Sequence, residues 1–276
     1  MPGTDAAGGD LASRIADNRH WYHTMELAAG VVTPGFFDLR AVVERMPWPD
    51  VRGKRCLDVG TYDGFLAFEL ERRGAAEVVA TDISDHSEWD WPPDMRAKGP
   101  AGLAVYAGPD KGLGFEIARE ALGSRVERIE VSAYDLSPER IGTFDVVVCG
   151  SLLLHLRDPQ RALEAMRSVC REHLLSAEEI DLALSIANPR RPVARLNGVG
   201  LLCQWWTPSV AGHRRMVVAA GFALERTTRP YTIPFGAGHP PPAGMQWLRR
   251  RALQRAVTGG EGVPHAAVLA RPSVGA

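Results

Sequence analysis

After residue 54 the chain switches repeatedly between short continuous apolar runs and apolar positions spaced three and four apart. The short runs read as buried strands and the wider spacing as helices with one face on a core. Arg55 to Val59 is the first strand, and Phe65 to Arg73 follows as a helix that Gly74 ends. Glu77 to Thr81 is a second strand, ending at Asp82. A helix over Phe115 to Leu122 leads to a strand near Val126 to Val131, and Phe144 to Cys149 is the plainest strand of all. Asp158 and Pro159 cap a helix whose Ala162, Leu163, Met166 and Val169 share a face. His173 to Ala177 reads as the fifth strand, and Thr207-Pro208 starts a helix that stops at Gly221. Strands over Phe222 to Thr228 and Ala266 to Ala270 complete the series.

Strand and helix signals that alternate in this way predict an α/β fold built on a largely parallel sheet. Residues 1–50 read as an N-terminal extension and cap on a domain over 51–276, with insertions near 84–111, 186–206 and 230–262. The stretch from Ser84 to Lys111 is irregular, rich in Trp, Pro, Asp and Gly, and long for a connection, so it is expected to shape or cover a site. Ligands of open α/β sheets bind beyond the carboxyl ends of the strands, where such insertions gather.

Composition narrows the picture. A formal charge of -1 on 276 residues gives no general electrostatic reason for a nucleic-acid partner. The arginines of a basic helix over Met245 to Val257 read as its solvated face. No apolar run has the length of a membrane span, and Met1 to Asp10 lack the pattern of a signal peptide, so the expected location is the cytoplasm. The four cysteines are scattered and the eight histidines show no ligand spacing, so no metal is expected.

The candidate chemistry begins at the first strand. Asp58-Val59-Gly60-Thr61-Tyr62-Asp63-Gly64-Phe65 reads as strand, tight glycine turn and helix start, the layout of a nucleotide-binding loop. Tyr62 stands where a dinucleotide fingerprint needs its second glycine, so its ring would collide with a pyrophosphate. A nucleoside without phosphates suits the loop better, and S-adenosylmethionine is the commonest. Asp82, ending the second strand, is placed to accept ribose hydroxyls. Asp135, in Ala133-Tyr134-Asp135, is placed either to accept an adenine amino group or to form an Asx turn before Ser137-Pro138. Gly150-Ser151 should lie beneath the methionine end.

Together with Trp21-Tyr22-His23-Thr24 and Leu154-His155-Leu156-Arg157-Asp158-Pro159, this loop makes the chain resemble a class I S-adenosylmethionine-dependent methyltransferase. More narrowly, it resembles an actinobacterial natural-product branch related to tRNA wobble-uridine carboxymethyltransferases. The resemblance implies a Rossmann-like sheet, mostly parallel with an antiparallel last strand, helices on both faces and an N-terminal helical cap. It also implies cofactor contacts from Asp58, Gly60, Thr61, Tyr62, Asp63, Gly64, Asp82, Ile83, Tyr134, Asp135, Gly150 and Ser151. Methyl transfer needs nucleophile and methyl in line, with a base where the nucleophile loses a proton. His155, of ordinary pKa, is the first candidate base, the alternative being a packing histidine. Glu178 and Glu179, after the fifth strand, and Tyr22, on the N-terminal segment, are the others, one of the two acids alternating outward as a solvated residue. Trp21, His23, Trp205 and Trp206 are candidate substrate contacts. The expected activity is methylation of a small molecule in natural-product biosynthesis, with an aromatic or prenyl-bearing acceptor and a homo-oligomer both compatible. The alternatives are an RNA-modifying enzyme and a catalytically inactive cofactor-binding partner subunit.

Overall fold

The computed structural model describes residues 4–108, 111–199, 203–239 and 254–273. In chain order its elements are α1 (Thr4–Asp17), β1 (Glu26–Ala28), β2 (Val31–Val32), β3 (Arg55–Val59), α2 (Phe65–Arg72), β4 (Glu77–Asp82), α3 (Pro93–Arg96) and α4 (Gly99–Ala107). Then come α5 (Leu113–Leu122), β5 (Glu127–Glu130), α6 (Pro138–Ile141), β6 (Phe144–Gly150), α7 (Pro159–Val169), β7 (Cys170–Glu179) and α8 (Leu182–Ala187). The last are β8 (Ala194–Leu196), β9 (Trp206–Pro208), α9 (Val210–Ala219), β10 (Phe222–Thr227), β11 (Tyr231–Ile233) and β12 (Val263–Pro272).

One sheet runs in the order β10-β12-β7-β6-β3-β4-β5, with β11 added on β12. The strands from β7 to β5 are parallel, and β12 lies antiparallel between β7 and β10. This is the mostly parallel sheet with an antiparallel last strand. Parallel strands are covered on both faces, and alternate side chains serve the two. Cys56, Val78, Val146, Val148 and Leu175 pack with α2 and α5 on one face. Leu57, Val79, Val147, Cys149 and Leu174 pack with α7 and the Val217–Ala220 end of α9 on the other.

Several expected boundaries moved. The stretch expected to be irregular after β4 is largely helical: Pro93 starts α3 and Pro100 sits in the first turn of α4, positions where a missing N–H costs nothing. The fifth strand begins at Cys170, directly after α7, and carries Glu178 and Glu179 as its last residues rather than preceding them. Thr207-Pro208 does not cap a helix. Both lie in β9, paired with β8, and Ser209 caps α9 by accepting from Gly212 N–H at 3.0 Å. The arginines of the expected basic helix over 249–251 lie outside the described residues. All four cysteines are free and buried. Among the described residues, no helix is long and apolar enough to cross a membrane.

Leu163, fully buried on the sheet-facing side of α7, anchors one face of the sheet. Leu163→Ala is expected to lower the free energy of urea unfolding by ~2–5 kcal/mol, whereas the exposed Leu122→Ala should change it by less than ~0.5 kcal/mol.

Candidate active site

The glycine loop is fixed by the strand beside it. Gly60 and Thr61 donate their N–H groups to Thr81 O at 2.8 and 3.1 Å, and Tyr62 N–H donates to Asp82 Oδ2 at 2.7 Å. Gly64 (φ 95°) begins α2, and a Cβ there would stand 2.3 Å from the Phe68 ring, so only glycine fits. Tyr62 holds a left-handed φ of 53° without being glycine. Two other described non-glycine residues share that conformation, Ser151 (φ 52°) and Cys203 (φ 44°), and all three line one cavity.

This cavity, of about 380 Å³, lies at the carboxyl ends of β3, β4, β6 and β7. A smaller annex of about 50 Å³, reaching Ser132 to Tyr134, shares Gly60, Asp82 and Ile83 with it. The walls are aromatic and aliphatic: Phe36, Phe37, Tyr62, Trp89, Trp91 and Tyr106 face the space, with Leu152 and Leu154 beneath. The roof is the N-terminal segment. Phe37 bridges His23 on one side and Phe235 on the other, and Asp38 N–H donates to Pro234 O at 2.9 Å. Asp63 holds that roof to the glycine loop. Its Oδ2 accepts the N–H groups of Tyr22 and His23, each at 2.8 Å, and its Oδ1 meets His23 Nδ1 at 2.5 Å.

Titratable groups at the strand ends are strongly perturbed. Burial pushes the Glu179 carboxyl up to about 7, helped by the charge of Asp181. Glu179 lines the cavity and has no hydrogen-bond or ion-pair partner among the described residues. Burial also pushes Tyr22 well above the ordinary phenol value, with Glu179 adding to the effect. On β12, His265 stands opposite Glu179 and accepts from Ser151 Oγ–H at 2.8 Å, while its own Nδ1–H donates to Val263 O at 3.0 Å. Burial takes this ring down to about 4, so it is neutral at pH 7.

The Methyltransferase domain family profile matches residues 36–224, more than half of the chain. The chain belongs to the methyltransferase domain family. Ubiquinone biosynthesis O-methyltransferases are similar over a shorter span: that of Acinetobacter baumannii strain AYE is 29% identical over 130 residues, 45% of each chain. That of Neisseria meningitidis serogroup C is 32% identical over 120 residues, 42% of this chain and 39% of its own. The match thus spans less than half the length of these curated relatives. Among solved structures, the N-terminal domain of EvdMO1 with S-adenosylhomocysteine bound superposes with a TM-score of 0.53 at 15% identity, covering 96% of this chain and 97% of that one. A methyltransferase structure from Listeria monocytogenes gives 0.50 at 12% identity, covering 84% and 96%. At these identities the likeness is one of fold, the Rossmann-like class I methyltransferase fold.

In this methyltransferase domain the expected residues divide sharply. Tyr22, His23, Gly60, Tyr62, Asp82 and Ile83 line the cavity, as do Gly150, Ser151, His155 and Glu179. Tyr134 lines the annex. Asp58 and Thr61 point into the protein beneath the loop instead, and burial pushes Asp58 up to about 7. Asp63 is spent on the roof and Gly64 on packing, so neither faces the main cavity. Asp135 is exposed, 3.5 Å from Arg161 and 3.6 Å from Arg140, away from both spaces. Trp21 is core, its Nε1–H donating to Ile15 O at 3.0 Å. Trp205 and Trp206 donate to Asp90 O and Arg157 O, at 2.5 and 3.1 Å, and clamp the loop outside the wall.

Two candidate bases change character. Glu178 is buried and accepts Leu153 N–H at 3.1 Å and the Cys149 thiol at 3.4 Å, tying β7 to the turn after β6. Glu179 is half-buried in the cavity wall, so neither acid is the outward-facing one expected. His155 does not keep an ordinary pKa: burial takes it down to about 4, and its Nδ1–H donates to Cys203 O at 2.7 Å. Its Nε2 is therefore a neutral acceptor whose protonated form is disfavoured, unlike the base of ordinary pKa expected from the sequence. The wall residues Phe36, Phe37, Trp89 and Trp91, together with Lys111 and His265, were missed. The Trp-rich stretch after β4 signalled a covered site without saying which rings face it, and His265 carries no local signal at all.

Glu178 carries a stability consequence of definite sign. Its folded pKa is raised from 4.5 to about 8, so the folded form holds the proton longer and stability falls as pH rises through that window. Glu179 and Asp58 are half-ionised near 7, so their share of the decline fades above it. Glu178→Gln is therefore expected to flatten the decline of melting temperature between pH 7 and 8, measured by differential scanning calorimetry. Asp63→Asn should cost ~2–3 kcal/mol in urea unfolding, because a buried charged acceptor with several donors is weakened.

Proposed function

We propose that the protein is an S-adenosylmethionine-dependent methyltransferase whose acceptor is a small, largely apolar molecule of specialised metabolism. The observation that carries this reading is one cavity with a nucleoside-type end and a free carboxyl at the other. Asp82 at the end of β4 and the bare backbone of Gly60 form the first end, and Glu179 at the end of β7 forms the second. The donor set fits the cofactor. Asp82 suits ribose hydroxyls, Ile83 and the annex by Tyr134 suit a flat base, and the backbone of Gly150 and Ser151 suits the amino-acid end. The bound cofactor supplies a methyl group on a sulfonium, open to in-line attack.

This chain's own residues do the rest. Phe36, Phe37, Trp89 and Trp91 exclude water and hold an apolar acceptor, as ring-lined pockets do. Glu179, poised near 7, takes the proton that the acceptor atom releases and is stable in the neutral form in its buried setting. Tyr22, held protonated by burial, donates a hydrogen bond to the acceptor, and His155 Nε2 accepts one. Residues 1–50 act as a cap on the catalytic domain of 51–276, with Asp63 as its anchor. The O-methyltransferases of ubiquinone biosynthesis among the relatives support a small-molecule acceptor.

The test is incubation with methyl-labelled S-adenosylmethionine and a host metabolite extract beside an RNA fraction. Label is expected in a small molecule; label confined to RNA overturns the acceptor class. In the same system Asp82→Asn should weaken cofactor binding by calorimetry ~10- to 100-fold. Glu179→Gln should lower kcat ~100-fold or more. The wild-type kcat/KM should rise with pH through about 7 as Glu179 ionises, and the variant should lose that limb.

A further inference from the structure

Asp82 is crowded in a way that its assigned partner does not require. Oδ2 accepts Tyr62 N–H at 2.7 Å. Oδ1 accepts Ile83 N–H at 2.8 Å and the Lys111 ammonium at 3.1 Å. A carboxylate offers about four acceptor positions, so about one remains. A ribose brings two adjacent hydroxyl donors. The two backbone bonds belong to the loop and the strand end and cannot be given up without unpinning the glycine turn. Lys111 is the only one of the three donors on a long, movable side chain.

Lys111 also has somewhere to stay. Its Nζ lies 4.2 Å from the centre of the Trp89 ring and 4.7 Å from that of Tyr62, and its side chain is only 14% exposed. A cation over two aromatic faces keeps part of its stabilisation when one hydrogen bond is lost. We propose that Lys111 competes with the cofactor ribose for Asp82, and so is a positioning residue that sets cofactor affinity by holding an acceptor position the nucleoside must take. The inference rests on the proposed cofactor assignment and adds to it a residue that opposes binding rather than promoting it.

The experiment is calorimetric binding of S-adenosylhomocysteine and of its 2′,3′-dideoxy analogue to wild-type protein, Lys111→Met and Lys111→Arg. Lys111→Met is expected to bind S-adenosylhomocysteine about fivefold more tightly, equivalent to ~1 kcal/mol or one regained hydrogen bond, with the dideoxy analogue unchanged. Lys111→Arg, which keeps a cationic donor, should bind both compounds as wild type does. Unchanged or weaker binding of S-adenosylhomocysteine by Lys111→Met overturns the inference, and so does an equal shift for both compounds. If Lys111→Met fails to fold, Lys111→Leu, which also lacks a donor, must show the same hydroxyl-dependent tightening, and its absence there overturns the inference equally. A wild-type protein that takes up no S-adenosylhomocysteine sinks the proposed function instead, and this inference with it.

Discussion

The carboxylate of Asp63 joins the two halves of the site. It is buried between the glycine loop and the N-terminal segment, and the N–H groups of Tyr22 and His23 and the His23 ring all converge on it. A buried carboxylate without partners is costly, and segment 22–23 has backbone donors that need acceptors once water is excluded. Each requirement is met only by the other. The roof over the cavity therefore follows from the loop beneath it, and Tyr22, brought to 5.2 Å from Tyr62, closes the contact.

Backbone strain gathers at the same place. Tyr62, Ser151 and Cys203 hold left-handed conformations that side chains disfavour, and each is held there by hydrogen bonds around it. Tyr62 N–H donates to Asp82, Ser151 N–H to Ala177 O at 2.9 Å, and Cys203 O accepts from His155 Nδ1–H. Such positions turn the chain sharply at the ends of β3 and β6, and so expose backbone to the cavity rather than to the core. Strain of this kind persists only where the surrounding structure over-determines it, and Cys203 is packed against Trp91, Met95 and Leu103.

The two acids ending β7 illustrate how one residue of register separates structure from chemistry. Side chains alternate along a strand, so Glu178 and Glu179 point to opposite faces. Glu178 turns toward Cys149 and the backbone after β6, while Glu179 turns into the cavity. Burial raises both, to about 8 and about 7, yet only Glu179 lines the cavity. A raised pKa alone does not mark a catalytic group.

Local sequence determined β3 to β7, β10 and β12, the glycine turn and the acid at the end of β4. These depend on period and on residue size within a few positions: Arg55–Val59 was readable to the residue, as was the helix start at Phe65. It did not reveal which residues wall the cavity. Phe36, Phe37, Trp89, Trp91, Lys111 and His265 come from segments far apart in the chain, and packing alone brings them together. Trp21, Trp205 and Trp206 fail as wall residues for the same reason, since burial and indole hydrogen bonds turn them elsewhere. Asp63 and Glu178 looked like cofactor and catalytic groups because their positions fit a motif and a strand end. Their actual partners are backbone and side-chain groups of other segments, and no spacing along the chain encodes that.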